Sequence, residues 1–304
     1  MSAVKWSGGH EHWVHKGDVK LFMWEKKASP RVPHAGTIFF VHGSSMASQP
    51  TFDLSVPGRP HSSVMNWFAE RGFDTWTMDN EGYGRSSKHR DINCDISNGA
   101  DDLAVGTAYV LEKTGGKPLL MYGISSGALK AGLFAERHPE RVARIALDAF
   151  VWKGTDSPTL EQRRKKLPEF ISRNRRPIDR AFVHSIFNRD HPGTADDATI
   201  EAFADAILTL DDSMPTGTYV DMCSKLPLLD PSRLKVATLV MRGEFDGIAS
   251  FNDLINYYKQ LPHTNKQFVM MQGISHASFQ QKNYLMVYHI LHNFFTMPEP
   301  SYKG

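Results

Sequence analysis

Between Gly36 and Gly43 the chain reads GTIFFVHG, a short apolar run of β-forming residues. A run without polar alternation predicts a strand covered on both faces. Upstream, EHWVHKGDVKLFMWEKK alternates around Lys16-Gly17-Asp18, which predicts an antiparallel hairpin. Downstream the pattern switches between periods. Helices are predicted over 61–71, 98–113 and 126–138, with strands over 74–80, 117–123 and 143–150. Strands alternating with helices predict an α/β fold, with a mainly parallel central sheet flanked by helices.

This rhythm breaks after Phe150. Residues 152–226 are charged, interrupted by proline and helical in pattern, as in EQRRKKLPEFISRNRRPIDR and DDATIEAFADAILTL. Strand character returns at 236–243 and 266–273, and a last helix is predicted over 279–295. The domain reading is one α/β core, residues 1–151 and 227–304, carrying a helical insertion at 152–226. There is no internal repeat and no low-complexity tract.

Composition narrows the function classes. The chain has 304 residues, 41% hydrophobic and 22% charged, enough for one large domain with a sizeable core. A net charge of +2 gives no reason to expect nucleic acid as a partner. The two cysteines, Cys94 and Cys223, have no CxxC spacing and are expected as reduced thiols. The opening MSAVKWSGGHEHW lacks the basic start and apolar run of a secretory signal, and no stretch approaches membrane-spanning length. A soluble, cytoplasmic protein with no membrane partner is expected. With no HExxH, no GxxxxGK[ST] and no Cys-His cluster, no metal, nucleotide or other cofactor is expected.

The candidate chemistry begins at Gly123-Ile-Ser125-Ser-Gly127. Of the two serines, only Ser125 has glycine at both −2 and +2. Those glycines permit a sharp turn between the strand before it and the helix after it, the setting of a nucleophile elbow. A serine hydroxyl needs a base, and the base an acid to orient it. His276 follows the strand over 266–273, and Asp246 follows the strand over 236–243. Strand ends of this kind border the crevice of an open α/β sheet. Asp246, at the apex of a Gly-x-x-Asp-Gly loop, is favoured over Glu244. His289 and His292 lie mid-helix and read as structural. For the oxyanion, the N–H of Ser126 is one candidate donor, and the loop Val41-His42-Gly43-Ser44 supplies the other through Ser44.

VHGSS (41–45), MDNEGYGRSS (78–87), GISSG (123–127), GEFDG (243–247) and GISHAS (273–278) together resemble the α/β-hydrolase fold superfamily. The resemblance runs from about residue 36 to 296 outside the insertion. It implies a Ser125–His276–Asp246 triad, with 152–226 as a helical cap over the site. Two positions depart from the pattern. Glu81 stands where Asp-x-Arg-Gly-x-Gly-x-Ser has arginine, and the loop from Ser44 to Pro60 is long. Met46 and Phe52 in that loop are candidate substrate contacts. Serine rather than aspartate at the nucleophile position separates the chain from epoxide hydrolases and haloalkane dehalogenases.

The insertion crowds Arg163, Arg164, Lys165, Lys166, Arg173, Arg175, Arg176 and Arg180 into one stretch. A solvated helix face is one reading. The other is a clamp for a substrate carboxylate, with Arg175 and Arg176 as first choice. Fold, cap and triad also resemble, weakly, esterases acting on half-esters of aromatic diacids. The expectation is a serine carboxylesterase acting on a small-molecule ester. Carbon–carbon hydrolysis of diketo acids, amide hydrolysis and a non-catalytic ligand-binding homologue are the alternatives, and a homodimer is left open.

Overall fold

The N-terminal hairpin consists of β1 (His10–Lys16) and β2 (Val19–Lys26), paired antiparallel about Gly17. Next come β3 (Gly36–Val41), β4 (Phe73–Met78), β5 (Leu119–Ile124) and β6 (Val142–Asp148). A short pair, β7 (Arg175–Pro177) and β8 (Ser213–Pro215), precedes β9 (Ala237–Gly243) and β10 (Lys266–Met271). The structure, a computed structural model, describes residue 6, residues 8–299 and residues 301–302.

One sheet runs β1-β2-β4-β3-β5-β6-β9-β10. Its β2–β4 pairing is antiparallel, and every pairing from β4 to β10 is parallel. The apolar runs are continuous because both faces are covered. Successive residues alternate between two cores, as the pleat requires. Phe39, Val41, Trp76, Met78 and Met121 face one, whereas Ile38, Phe40, Phe73, Tyr122 and Met241 face the other. The helices Ile96–Lys113, Ser126–Arg137 and Phe251–Gln260 cover the first face; Val64–Ala69 and Tyr284–Phe295 cover the second.

Side-chain caps set several boundaries. Ser63 accepts from the Asn66 amide, so the helix expected from 61 starts at Val64. Asp95 caps at the Asn98 amide, so the helix expected from 98 starts at Ile96. The last helix is broken into a 3₁₀ turn, Ser278–Gln280, and the helix Tyr284–Phe295.

The 152–226 segment contains the helices Pro158–Arg164, Leu167–Ile171, Arg180–Asn188, Asp197–Leu210 and Gly217–Ser224. It also contains the antiparallel β7–β8 ribbon, which departs from the all-helical expectation. Three residues of Arg-Arg-Pro carry no strand pattern, and only pairing with Ser213–Pro215 makes them one. Apolar residues of this segment, such as Val183, Phe187 and Phe203, share a core with Met46, Leu54 and Tyr83. Among the described residues, no helix is long and apolar enough to cross a membrane.

Candidate active site

Ser125 stands between β5 and the helix Ser126–Arg137 with φ 58° and ψ −126°. A non-glycine residue there carries strain of about 1–3 kcal/mol, and surrounding contacts must hold it. Its N–H donates to the Asp148 carbonyl at 2.8 Å, and its carbonyl accepts from Ala128 N–H at 3.0 Å. Neither flanking glycine tolerates a side chain. A Cβ on Gly123 would lie 2.5 Å from the Gly127 carbonyl oxygen, and one on Gly127 would lie 2.2 Å from that of Val41. The backbone therefore turns sharply and presents the Ser125 hydroxyl at the C-terminal edge of the sheet.

The loops after β9 and β10 meet it there. Nε2 of His276 lies 3.0 Å from Ser125 Oγ, and Nδ1 lies 3.0 Å from Asp246 Oδ2. The other Asp246 oxygen accepts from Ile248 N–H at 2.8 Å and Ala249 N–H at 3.0 Å. All three side chains are buried. Burial opposes the charge on Asp246, but His276 and the two amides outweigh it and hold its carboxyl below the usual range. A carboxylate facing Nδ1 keeps the ring proton on that nitrogen, which leaves the Nε2 lone pair for the serine hydroxyl. Glu244 takes no part: its Oε2 accepts from Gly273 N–H at 2.8 Å and ties the two loops together.

Ser126 opens a helix, so its N–H has no acceptor within that helix. Among the described residues, neither this amide nor that of Ser44 donates to a backbone carbonyl outside the regular elements. Gly43 brings the Ser44 loop close, since a Cβ there would lie 3.3 Å from Cβ of Ser125. Beneath it, Asn80 N–H donates to His42 Nε2 at 3.0 Å, and His42 Nδ1 lies 2.8 Å from the Gly43 carbonyl. Nδ1 is therefore the protonated nitrogen. Burial, with Lys130 nearby, holds this imidazole well below its ordinary pKa, so the strut is neutral.

Ser125, His276 and Ser44 line a narrow chamber with Met46, Arg163, Arg189 and Tyr219. A cleft of about 380 Å³ opens next to it and shares Arg163, Arg189 and Tyr219, with Arg176 on its wall. Two candidate contacts need correction. Phe52 is fully buried among Phe40, Tyr122 and Phe279 and belongs to the core. Its helix Ser48–Phe52 turns the ring onto the sheet rather than into the chamber. Arg175 is a structural tie, donating to the Gly82 carbonyl at 2.8 Å and to Ser213 Oγ at 3.0 Å. Neighbouring residues of a strand point to opposite sides, which is why Arg176 reaches the cleft and Arg175 does not. Glu81 pairs with Lys16 and Arg90. Nothing local in the sequence marks Arg189 and Tyr219; only the folding of 152–226 brings them to Ser125. Both cysteines are free and buried. Among the described residues, no cluster of three or more His, Cys, Asp or Glu could hold a metal.

Residues 33–283 match the family described as Serine aminopeptidase, S33. No curated protein sequence matches the chain. Solved structures share its fold at low identity. A soluble variant of monoglyceride lipase from Saccharomyces cerevisiae is 16% identical, with TM-score 0.70 and 96% of each chain covered. An esterase from Thermogutta terrifontis is 18% identical, with TM-score 0.66 and coverage of 94% of this chain and 100% of that one. A carboxylesterase structure from Nitrososphaera gargenis is 14% identical, with TM-score 0.69 and coverage of 93% and 98%. The family match spans most of the chain, including the serine, acid and histidine loops, and so the protein belongs to the serine aminopeptidase S33 family of the α/β-hydrolase fold.

Proposed function

We propose that the protein is a serine hydrolase cleaving carboxylic esters through an acyl-enzyme intermediate. The observation that carries this reading is the continuous chain Asp246–His276–Ser125, with both links at 3.0 Å, ending on an oxygen held at a positive-φ turn. His276 takes the Ser125 proton as Oγ bonds to the ester carbonyl carbon. The carbonyl oxygen becomes an oxyanion facing the amides of Ser44 and Ser126. Collapse of the tetrahedral species breaks the carbon–oxygen bond, and His276 gives its proton to the departing alcohol. Water then attacks the acyl group, His276 takes its proton, and Ser125 leaves with the proton restored. Each oxyanion donor contributes on the order of 100-fold or more to turnover. The 152–226 segment serves as the cap that walls the chamber from bulk water, and Met46 lines the space left for substrate.

The family description raises a second reading, release of N-terminal amino acids. That substrate presents an ammonium group, which needs an acidic seat. The chamber offers arginines instead, so esters are favoured over such peptides.

A fluorophosphonate probe, with the labelled peptide mapped by mass spectrometry beside a panel of p-nitrophenyl esters, tests the reading. Label on Ser125 that is lost in His276→Ala, together with ester turnover, is expected. Label on Ser126 would overturn the assigned nucleophile. No label and no turnover would overturn the esterase reading and leave the carbon–carbon hydrolase or the silent homologue.

A further inference from the structure

Three guanidinium groups converge where the chamber opens into the cleft. Arg163 lies with its guanidinium carbon 4.4 Å from the Tyr219 ring centre and makes no ion pair among the described residues. Arg176 is only 6% exposed; its Nη2 donates to Ser45 Oγ at 2.8 Å, while its buried Nε finds no partner. Arg189 reaches Asp190 through Nε at 3.4 Å, while its buried Nη2 finds no partner. Asp190 is shared with Thr159, which donates to it at 2.9 Å. Lys166 and Glu169 lie on the outer cleft, and Glu169 is taken by Arg173.

Arg173 and Arg180 face solvent and have carboxylates beside them: Glu169 for the first, Glu201 and Asp205 for the second. Of the three inner arginines, only Arg189 has a carboxylate beside it, Asp190, and among the described residues Arg163 and Arg176 have none. Arg176 is buried, whereas Arg163 and Arg189 are half-buried; a cation withdrawn from water is costly unless opposite charge arrives. A positive field of this kind acts on whatever can ionise within it. Burial would raise the Tyr219 phenol, but Arg163, Arg176 and a hydrogen bond with Ser45 outweigh burial and bring it down to about 7. A phenol drawn toward ionisation reports a site that favours an incoming anion.

We propose that Arg163, Arg176 and Arg189 form a seat for a carboxylate carried by the ester substrate, a few bonds from the scissile carbonyl. The inference rests on the esterase reading and names its substrate class. Ser45, whose hydroxyl meets both Arg176 and Tyr219, directly follows Ser44, whose amide faces the oxyanion. The seat therefore lies next to the reacting carbonyl, not at a distant cleft wall. Tyr219 and Phe182 flank Arg176 at 4.4 and 4.5 Å and give the seat flat walls. A planar carboxylate meets a guanidinium edge through two parallel hydrogen bonds, which a flat slot accommodates.

The test compares kcat/KM for monobutyl phthalate with that for butyl benzoate, the same ester without the carboxylate. The wild-type protein is expected to prefer the half-ester by tenfold or more. In Arg163→Met and Arg189→Met that selectivity ratio is expected to fall by about 10- to 100-fold, the range of one lost charge-assisted hydrogen bond. Arg163→Lys, which keeps the charge without the fork, should fall between. A ratio that does not move, or wild-type preference for the neutral ester, would overturn the seat. Faster cleavage of butyl 2-sulfobenzoate than of monobutyl phthalate would overturn its assignment to carboxylates. Phthalate titrated calorimetrically into Ser125→Ala separates the two readings, since it requires no chemistry. Binding that weakens in Ser125→Ala/Arg163→Met supports the seat even if no ester is cleaved, an outcome that would sink the esterase reading alone; no binding overturns the seat.

Discussion

Asp246 faces His276 with one oxygen 3.0 Å from Nδ1, while its other oxygen is fixed by the amides of Ile248 and Ala249. The loop after β9 thus fixes the carboxylate through contacts that do not involve the imidazole, and the carboxylate fixes the tautomer. Asp246→Asn keeps the amide bonds but can turn its NH2 toward Nδ1, which moves the ring proton to Nε2 and blocks the base. Turnover of p-nitrophenyl acetate is expected to fall by about 10³- to 10⁴-fold with the fold intact by circular dichroism. A loss below tenfold would remove Asp246 from the mechanism.

The elbow depends equally on an absence. Gly127 approaches the end of β3 so closely that a methyl group would sit 2.2 Å from the Val41 carbonyl oxygen and 2.6 Å from that of His42. Both obstacles are backbone, and neither can rotate away. Gly127→Ala is expected to destabilise the protein by about 1–3 kcal/mol or more. Because β3 leads into the Ser44 loop, labelling of Ser125 by fluorophosphonate should slow in the folded fraction. Urea titration with labelling rates on one sample reads both, and an unchanged midpoint would refute the close-packing argument.

Much of this was legible in the chain, for identifiable reasons. The strands over 36–43, 117–123 and 236–243 are short apolar runs because the sheet is covered on both sides, and each ends in a glycine-bearing loop with a chemical residue. The meeting of Ser125, Asp246 and His276 is legible in the sequence because strand ends are local features. Phe52 and Arg175 were misplaced because direction is not local. One turn of helix at Ser48–Phe52 decides that Phe52 faces the sheet, and the alternation of β7 decides which of two arginines reaches the cleft. Arg189 and Tyr219 lie 64 and 94 residues beyond Ser125 in sequence, in helical stretches that read as ordinary. Only tertiary packing makes them neighbours of Ser125.

Arg175 bridges two parts of the chain. Its guanidinium joins Gly82, in the turn after β4, to Ser213 in β8, so it fastens the 152–226 segment to the core. Hydrogen bonds from a charged group contribute about 1.5–3 kcal/mol. Arg175→Met should therefore lower the melting temperature, while the half-ester to neutral-ester selectivity ratio stays at the wild-type value. A collapse of that ratio with no change in melting temperature would return Arg175 to the substrate site.

Behind Ser125, Asp148 is fully buried and accepts from the Tyr122 hydroxyl at 2.6 Å, while Ser125 N–H holds its carbonyl. Burial is the main force on this carboxyl, and it raises the pKa from 3.8 to about 7. A pKa raised by folding means that the folded state favours the protonated acid. The associated stability is present in full below 3.8 and is lost as the pH rises through about 7. The shift corresponds to a contribution on the order of 4 kcal/mol between those limits. Glu136, also raised to about 7 by burial, adds a slope of the same sign. Asp246 does not act in this window, because its pKa is lowered and its contribution fades only in stronger acid. Asp148→Asn, neutral at every pH and still able to accept from Tyr122, should flatten the fall in unfolding free energy between pH 5 and 8. Urea unfolding at both pH values checks this, with the variant gaining on the wild-type protein at pH 8. Parallel slopes in the two proteins would mean that Asp148 is already ionised in the native state, held by contacts that outweigh its burial.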